Sequence, residues 1–120
     1  MKRESLFEFA RENFNSEPEY LWSNLSDYAV LRHHHRGKWF GLVMSVTGKK
    51  LGLETNDQLA ILNVKVRPEL VGALRQMEGV LPAYHMNKEH WVSILLDASL
   101  SPKEIHGLLT DSYVLTSKVK

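Results

Sequence analysis

The segment from Trp91 to Ala98 constrains the fold more than any other part of the chain. Its side chains alternate: Trp91, Ser93, Leu95 and Asp97 point one way, Val92, Ile94, Leu96 and Ala98 the other. The second set is wholly apolar, so that strand needs a sheet with this face turned to a core. Residues 58 to 66 follow the same rule, with Ala60, Leu62, Val64 and Val66 on one face and Leu59, Ile61, Asn63 and Lys65 on the other. In residues 38 to 46, Phe40, Leu42, Met44 and Val46 form an unbroken apolar face. Residues 28 to 34 read as a strand before it, and Leu51-Gly52-Leu53 as a short strand after it. Tight turns at Gly37, at Thr47-Gly48-Lys49-Lys50 and at Glu54-Thr55-Asn56-Asp57 join these runs into an antiparallel meander.

Helical spacing takes over at both ends. In residues 3 to 14, Leu6, Phe7, Ala10 and Phe14 make an apolar stripe. Ser5 with Glu8 offers a capping box that would start this helix later. Asn15-Ser16-Glu17-Pro18 ends it, and Tyr20 to Asp27 reads as an irregular or edge segment with Trp22 turned inward. Pro68 suits the first turn of a helix over 68 to 77, with Leu70, Leu74 and Met77 on one side and Gly79 as a left-handed cap. Ser101-Pro102-Lys103-Glu104 is a second capping-box pattern, opening a final helix that buries Ile105, Leu108, Leu109 and Tyr113. Ser117-Lys118-Val119-Lys120 reads as a fraying basic tail. The expected order is α-β-β-β-β-α-β-α. It makes an α+β two-layer sandwich, an antiparallel sheet with helices packed on one face and the other face free for a partner.

A chain of 120 residues is enough for one domain, spanning 1–120. Hydrophobic residues at 43% and charged residues at 24% fit an ordinary globular protein rather than a disordered one. The chain has no cysteine, which excludes disulfides, thiolate nucleophiles and Cys-ligated zinc, and fits a cytoplasmic protein. Glu8, Arg11 and Glu12 interrupt the first apolar residues, so no signal peptide is expected, and no run approaches a membrane span. The net charge is +1, so nucleic-acid binding would need a local basic patch.

Two turns supply such patches. One is the hairpin tip Arg32-His33-His34-His35-Arg36-Gly37-Lys38, and the other carries Lys49 and Lys50. Both read as wings on phosphates, with Lys65, Arg67 and Lys88 extending the surface. The bland reading is a solvated turn, since hairpin tips are usually polar. Three consecutive histidines in regular strand geometry point to opposite faces and cannot all hold one ion; a turn relaxes that limit and leaves the cluster a weaker reading as a site for a stray nickel or zinc ion. The loop Pro82 to His90 gathers Tyr84, His85, Asn87, His90 and, at the strand entry, Trp91. A polar, aromatic loop delivered onto a rigid strand is a common way to hold functional side chains. Asn87, His90 and Trp91 are placed to approach bases or sugars. Alternatively, Tyr84, Met86 and Trp91 line a cleft for a protein or small ligand beside His85 and Asn87. Plain packing and capping by the same residues is the third reading.

The chain has no glycine-rich phosphate loop, nucleophile elbow or zinc-protease motif. His85, Lys88 and Glu89 are too close in sequence to converge on a substrate without distant help. No catalytic residue, metal or cofactor is therefore assigned. The expected function is non-enzymatic DNA binding by a monomer.

Tyr84-His85-Met86-Asn87-Lys88 followed by His90-Trp91 resembles the signature of the MmcQ/YjbR family of small bacterial proteins. Arg32-His33, Lys38-Trp39-Phe40, Lys50-Leu51-Gly52-Leu53 and Ile61-Leu62-Asn63-Val64-Lys65 fit the same pattern. So do Gly79 before Pro82 and Asp111-Ser112-Tyr113-Val114-Leu115-Thr116. The resemblance spans roughly residues 4 to 117. It implies a fold of the CyaY/frataxin kind and a DNA-binding role. Because an acidic first helix gathers metal ions in frataxin-type proteins, it also gives the row Glu4, Glu8 and Glu12 a metal-handling reading.

Overall fold

Helical and extended segments meet in two layers. The structure, a computed structural model, describes residues 1–34 and 36–117; His35 of the histidine run and Lys118, Val119 and Lys120 of the basic tail lie outside the described residues. The elements are α1 (Arg3–Phe14), β1 (Ala29–Arg32), β2 (Trp39–Thr47), β3 (Gln58–Lys65), a short α2 (Val71–Leu74), β4 (Val80–Pro82), β5 (Trp91–Leu95) and α3 (Pro102–Thr116). The strands form one antiparallel sheet in the order β1-β2-β3-β5-β4. Among the described residues no helix is long and apolar enough to cross a membrane.

The apolar stripes of α1 and α3 decide which sheet face becomes the main core. Leu6, Phe7 and Ala10 of α1 and Ile105 and Leu109 of α3 are buried against Val43, Leu62, Val64, Val92 and Ile94. The Ser101 hydroxyl accepts from the Glu104 amide while the Glu104 carboxylate accepts from the Ser101 amide, so the expected capping box starts α3. The Ser5–Glu8 box does not form: α1 begins after Lys2 with no side-chain cap and ends at Asn15 in the left-handed conformation.

Three expectations are corrected. The segment 51–53 is not a strand. Gly48–Leu51 winds into a 3-10 turn closed by Gly52, and Leu51 and Leu53 fold onto the sheet. Gly48 is tight against Thr55, where a Cβ would collide, and its amide donates to the Asp57 carbonyl at 2.9 Å. The helix expected over 68–77 shrinks to a 3-10 turn, Pro68–Leu70, and the single turn of α2. Beyond α2 the amides of Gln76, Met77 and Val80 reach back only three residues. An exposed Gly72 mid-segment weakens helix by about 1 kcal/mol relative to alanine. The strand missing from the expected list is β4, whose Pro82 sits on an edge where no ladder amide is needed. The order is therefore α-β-β-β-α-β-β-α.

The expected apolar face of 38–46 is also divided. A bulge shifts the register so that Arg32 faces Trp39 while Leu31 faces Gly41. Phe40 turns to the helix side, whereas Leu42, Met44 and Val46 line the other side. On the other side of β2, Ser112 of α3 links it to β3, donating to the Phe40 carbonyl at 2.7 Å and accepting from the Lys65 amide at 2.9 Å.

The second sheet face is not free. Trp22, Tyr28, Leu51, Leu53, Tyr84 and Met86 pack over Val30, Leu42, Met44 and Ile61. Trp22 meets Tyr28 and Trp39 edge-on at 5.9 Å each. Three loops thus act as a third, thinner layer.

Candidate nucleic-acid interface

The two basic turns lie at opposite ends of β2, and their surroundings differ. At the hairpin tip the His33 amide donates to the Lys38 carbonyl and the Gly37 amide to the His33 carbonyl, both at 3.0 Å. Arg36 takes a left-handed φ of 61°. Arg32 does not face solvent as a free cation. Its Nη2 and Nε donate to the two Glu19 oxygens at 2.6 and 3.2 Å, and its side chain is only 19% exposed. Glu19 is held opposite by a β-bridge to Val30.

His33 is likewise engaged within the fold. Its ring stacks on Tyr113 at 4.2 Å and meets Phe40 edge-on at 5.3 Å. Its Nε2 lies 2.8 Å from the Thr116 hydroxyl, which itself donates to the Ser112 carbonyl; the imidazole is then the donor of that bond. Burial holds the His33 pKa below the ordinary histidine value, opposed in part by the Tyr113 carbonyl and aided by His34. Arg32 and His33, expected as phosphate contacts, thus have partners within the fold and tie the hairpin to the body. Arg36 and Lys38 remain exposed at the tip.

The turn after β2 keeps Lys49 and Lys50 exposed. It also lies beside the 83–90 loop. One cleft of about 400 Å³ is lined by Lys50 and Leu51 from the turn, by Pro82 from the end of β4, and by Tyr84, His85 and Lys88 from the loop. Among its described lining residues there is no carboxylate. The sequence separates Lys50 and Lys88 by almost forty positions, and the fold of the turn over the sheet brings them together.

A buried polar cycle fixes the loop. The Tyr84 amide donates to Ser93 Oγ at 2.9 Å, Ser93 Oγ donates to Asn63 Oδ1 at 2.5 Å, and Asn63 Nδ2 donates to the Tyr84 carbonyl at 2.9 Å. Asn63 and Ser93 are fully buried and paired across β3 and β5. Sequence reading passed over both; an asparagine on the otherwise apolar run Leu59-Ile61 is the signal that marks them. Tyr84 is half-buried, and its ring stacks on the exposed His85 at 4.0 Å. Burial pushes the Tyr28 phenol up, with the nearby Tyr84 phenol adding to the effect.

Other loop residues serve the turn itself. Asn87 Oδ1 accepts from the Glu89 amide at 2.7 Å, and its carbonyl accepts from the His90 and Trp91 amides. Asn87 itself is exposed, with its side-chain oxygen used in this turn. The His90 carbonyl accepts from the Val66 amide, and His90 and Trp91 are half-buried. Lys65 pairs with Trp91 in the ladder, at the loop's base rather than in the cleft. Arg67 lies near Glu69 at 3.3 Å.

Known proteins share this architecture. The chain is 42% identical over 116 residues to the uncharacterized protein YyaQ of Bacillus subtilis, covering 97% of this chain and 98% of YyaQ. It is 42% identical over 53 residues to the uncharacterized protein YjbR of Escherichia coli, 43% of this chain and 45% of that one. A crystal structure of a Pseudomonas syringae protein superimposes with a TM-score of 0.93 at 42% identity, covering 97% of this chain and 99% of the other. The YjbR family profile matches residues 14–115, so the chain belongs to the YjbR family.

Proposed function

We propose that this protein is a non-enzymatic, monomeric, cytoplasmic DNA-binding module whose phosphate contacts centre on the cleft between Lys50 and Lys88. The supporting observation is that cleft: two lysines from distant segments share a concave surface whose described lining has no carboxylate. Converging cations in a concavity attract phosphates more strongly than the same charges spread apart. Lys49 extends the surface, and Arg36 and Lys38 form a separate, peripheral patch. The CyaY-like expectation enters at the level of layers, helices on one face of an antiparallel sheet.

The test is fluorescence anisotropy with labelled random-sequence duplex DNA at low and near-physiological salt. Binding should weaken steeply with salt. In Lys50→Glu/Lys88→Glu the slope of log affinity against log salt should shrink by about 2, at roughly 0.9 per phosphate contact. Unchanged affinity and slope in that variant would remove the proposal.

A small-ligand reading draws on the same cleft, since about 400 Å³ lies within the usual range of such sites. It predicts binding that barely responds to salt. Metal handling gains no comparable support: among the described residues no three His, Asp or Glu side chains are grouped to hold an ion.

A further inference from the structure

The geometry points to an unpaired nucleotide as the unit this cleft recognises: a base stacks on His85 while its flanking phosphates lie by Lys50 and Lys88. This rests on the DNA-binding reading and names which form of DNA the site takes.

Three observations carry it. First, the Tyr84–His85 pair is a ready-made stacking platform, with rings 4.0 Å apart and 22° from parallel. His85 is exposed with its ring laid on Tyr84, and the proposed base stacks on the opposite face of that ring. Second, the platform is held at a cost. His85 has a φ of 60°, which side-chain-bearing residues seldom adopt, though His does so more readily than most. The Asn63–Ser93 cycle holds the preceding residue, Tyr84, by both its amide and its carbonyl. Third, Lys50 and Lys88 line the same cleft as the stack, which sets cations beside an aromatic face.

That combination suits single strands. Every base has a flat face to stack, and the phosphates on either side meet the positive groove. In a duplex those faces are covered by neighbouring pairs, and exposing one requires unstacking worth a few kcal/mol. The apolar wall of Leu51 and Pro82 gives the base a dry edge.

The test measures anisotropy with a labelled fifteen-nucleotide thymidine strand and with a duplex of the same length, at one low salt concentration. The strand should bind at least tenfold tighter than the duplex. His85→Asn keeps a residue that tolerates the left-handed backbone but removes the ring; it should lower strand affinity about tenfold, within the range of one lost base stack, and erode the preference for strand over duplex. Equal affinity for strand and duplex, or strand affinity within twofold of the parent in His85→Asn, overturns the stacking inference while leaving the charged-cleft proposal standing. Thymidine monophosphate that competes as well as the strand also overturns it, in favour of a mononucleotide pocket. No binding of strand or duplex even at low salt overturns both readings.

Discussion

The hairpin tip between β1 and β2 and the turn between β2 and β3 are both short, basic and bounded by strands. They differ in what the rest of the chain does with their charges. At the tip Glu19 takes Arg32 in a two-pronged ion pair, and α3 takes His33 through Tyr113 and Thr116. At the second turn Lys49 and Lys50 stay exposed, and Lys50 acquires a cationic neighbour in Lys88. The first turn has become a clasp and the second one wall of a cleft. A run of basic residues is a binding surface only where the fold leaves its cations unpartnered and close together.

The comparison can be broken most severely at the loop that completes the cleft. Asn63→Leu leaves the Ser93 hydroxyl and the Tyr84 carbonyl without their partner inside the protein. We expect a loss of about 2–3 kcal/mol in urea unfolding, the usual cost of stranding buried polar groups. A loss under about 0.5 kcal/mol would mean that the cycle does not hold the loop.

Charge reversal compares the two turns directly. Lys50→Glu/Lys88→Glu should weaken DNA binding tenfold or more, about 1.4 kcal/mol, whereas Arg36→Glu/Lys38→Glu should cost about threefold. Anisotropy titrations of both variants decide it. A larger loss from the hairpin pair would restore the tip as the principal wing.

The clasp can be loosened by pH. Burial lowers the native pKa of His33, and also that of His106 stacked on Phe9. The unfolded chain then takes up these protons first. Their contribution to stability is present above the ordinary histidine pKa of about 6.5 and is lost as pH falls through the depressed native values. Melting temperature should therefore drop by several degrees between pH 7.5 and pH 5. In His33→Phe that drop should be smaller, and an identical drop would mean that His33 does not contribute to it.

The smallest effect is expected from Glu19→Gln, which releases Arg32. The partly exposed pair is worth about 0.5–1 kcal/mol. DNA affinity should stay within twofold. A clear gain in affinity would show that the hairpin is a wing held in check by Glu19.

Most of the architecture was legible because periodicity is local. α1, β2, β3, β5 and α3 each announce a buried face within a window of several residues. The errors fall where a contact from elsewhere overrides the pattern. Phe40 leaves its expected face because a bulge reverses the alternation, and Ser112, from a helix over seventy positions later, joins it to Lys65 past the end of the β2–β3 ladder. Leu51 and Leu53 look like strand residues and instead cap the second sheet face. In the candidate site, the loop Tyr84 to Trp91 and the lysines were visible as residue types. The Asn63–Ser93 cycle beneath them and the partners of Arg32 and His33 were not.

By itself the sequence determined the periods and their punctuation: which segments extend, which wind, which faces must be buried, and which residues carry charge. Those properties follow from neighbours within a few positions, where backbone sterics and apolar spacing act. Only the tertiary structure decided which cations are spent on the fold and which are presented together. Pairing energies depend on separations of a few ångströms between residues far apart in the chain, as in Glu19 with Arg32, Thr116 with His33, and Lys50 facing the same cleft as Lys88.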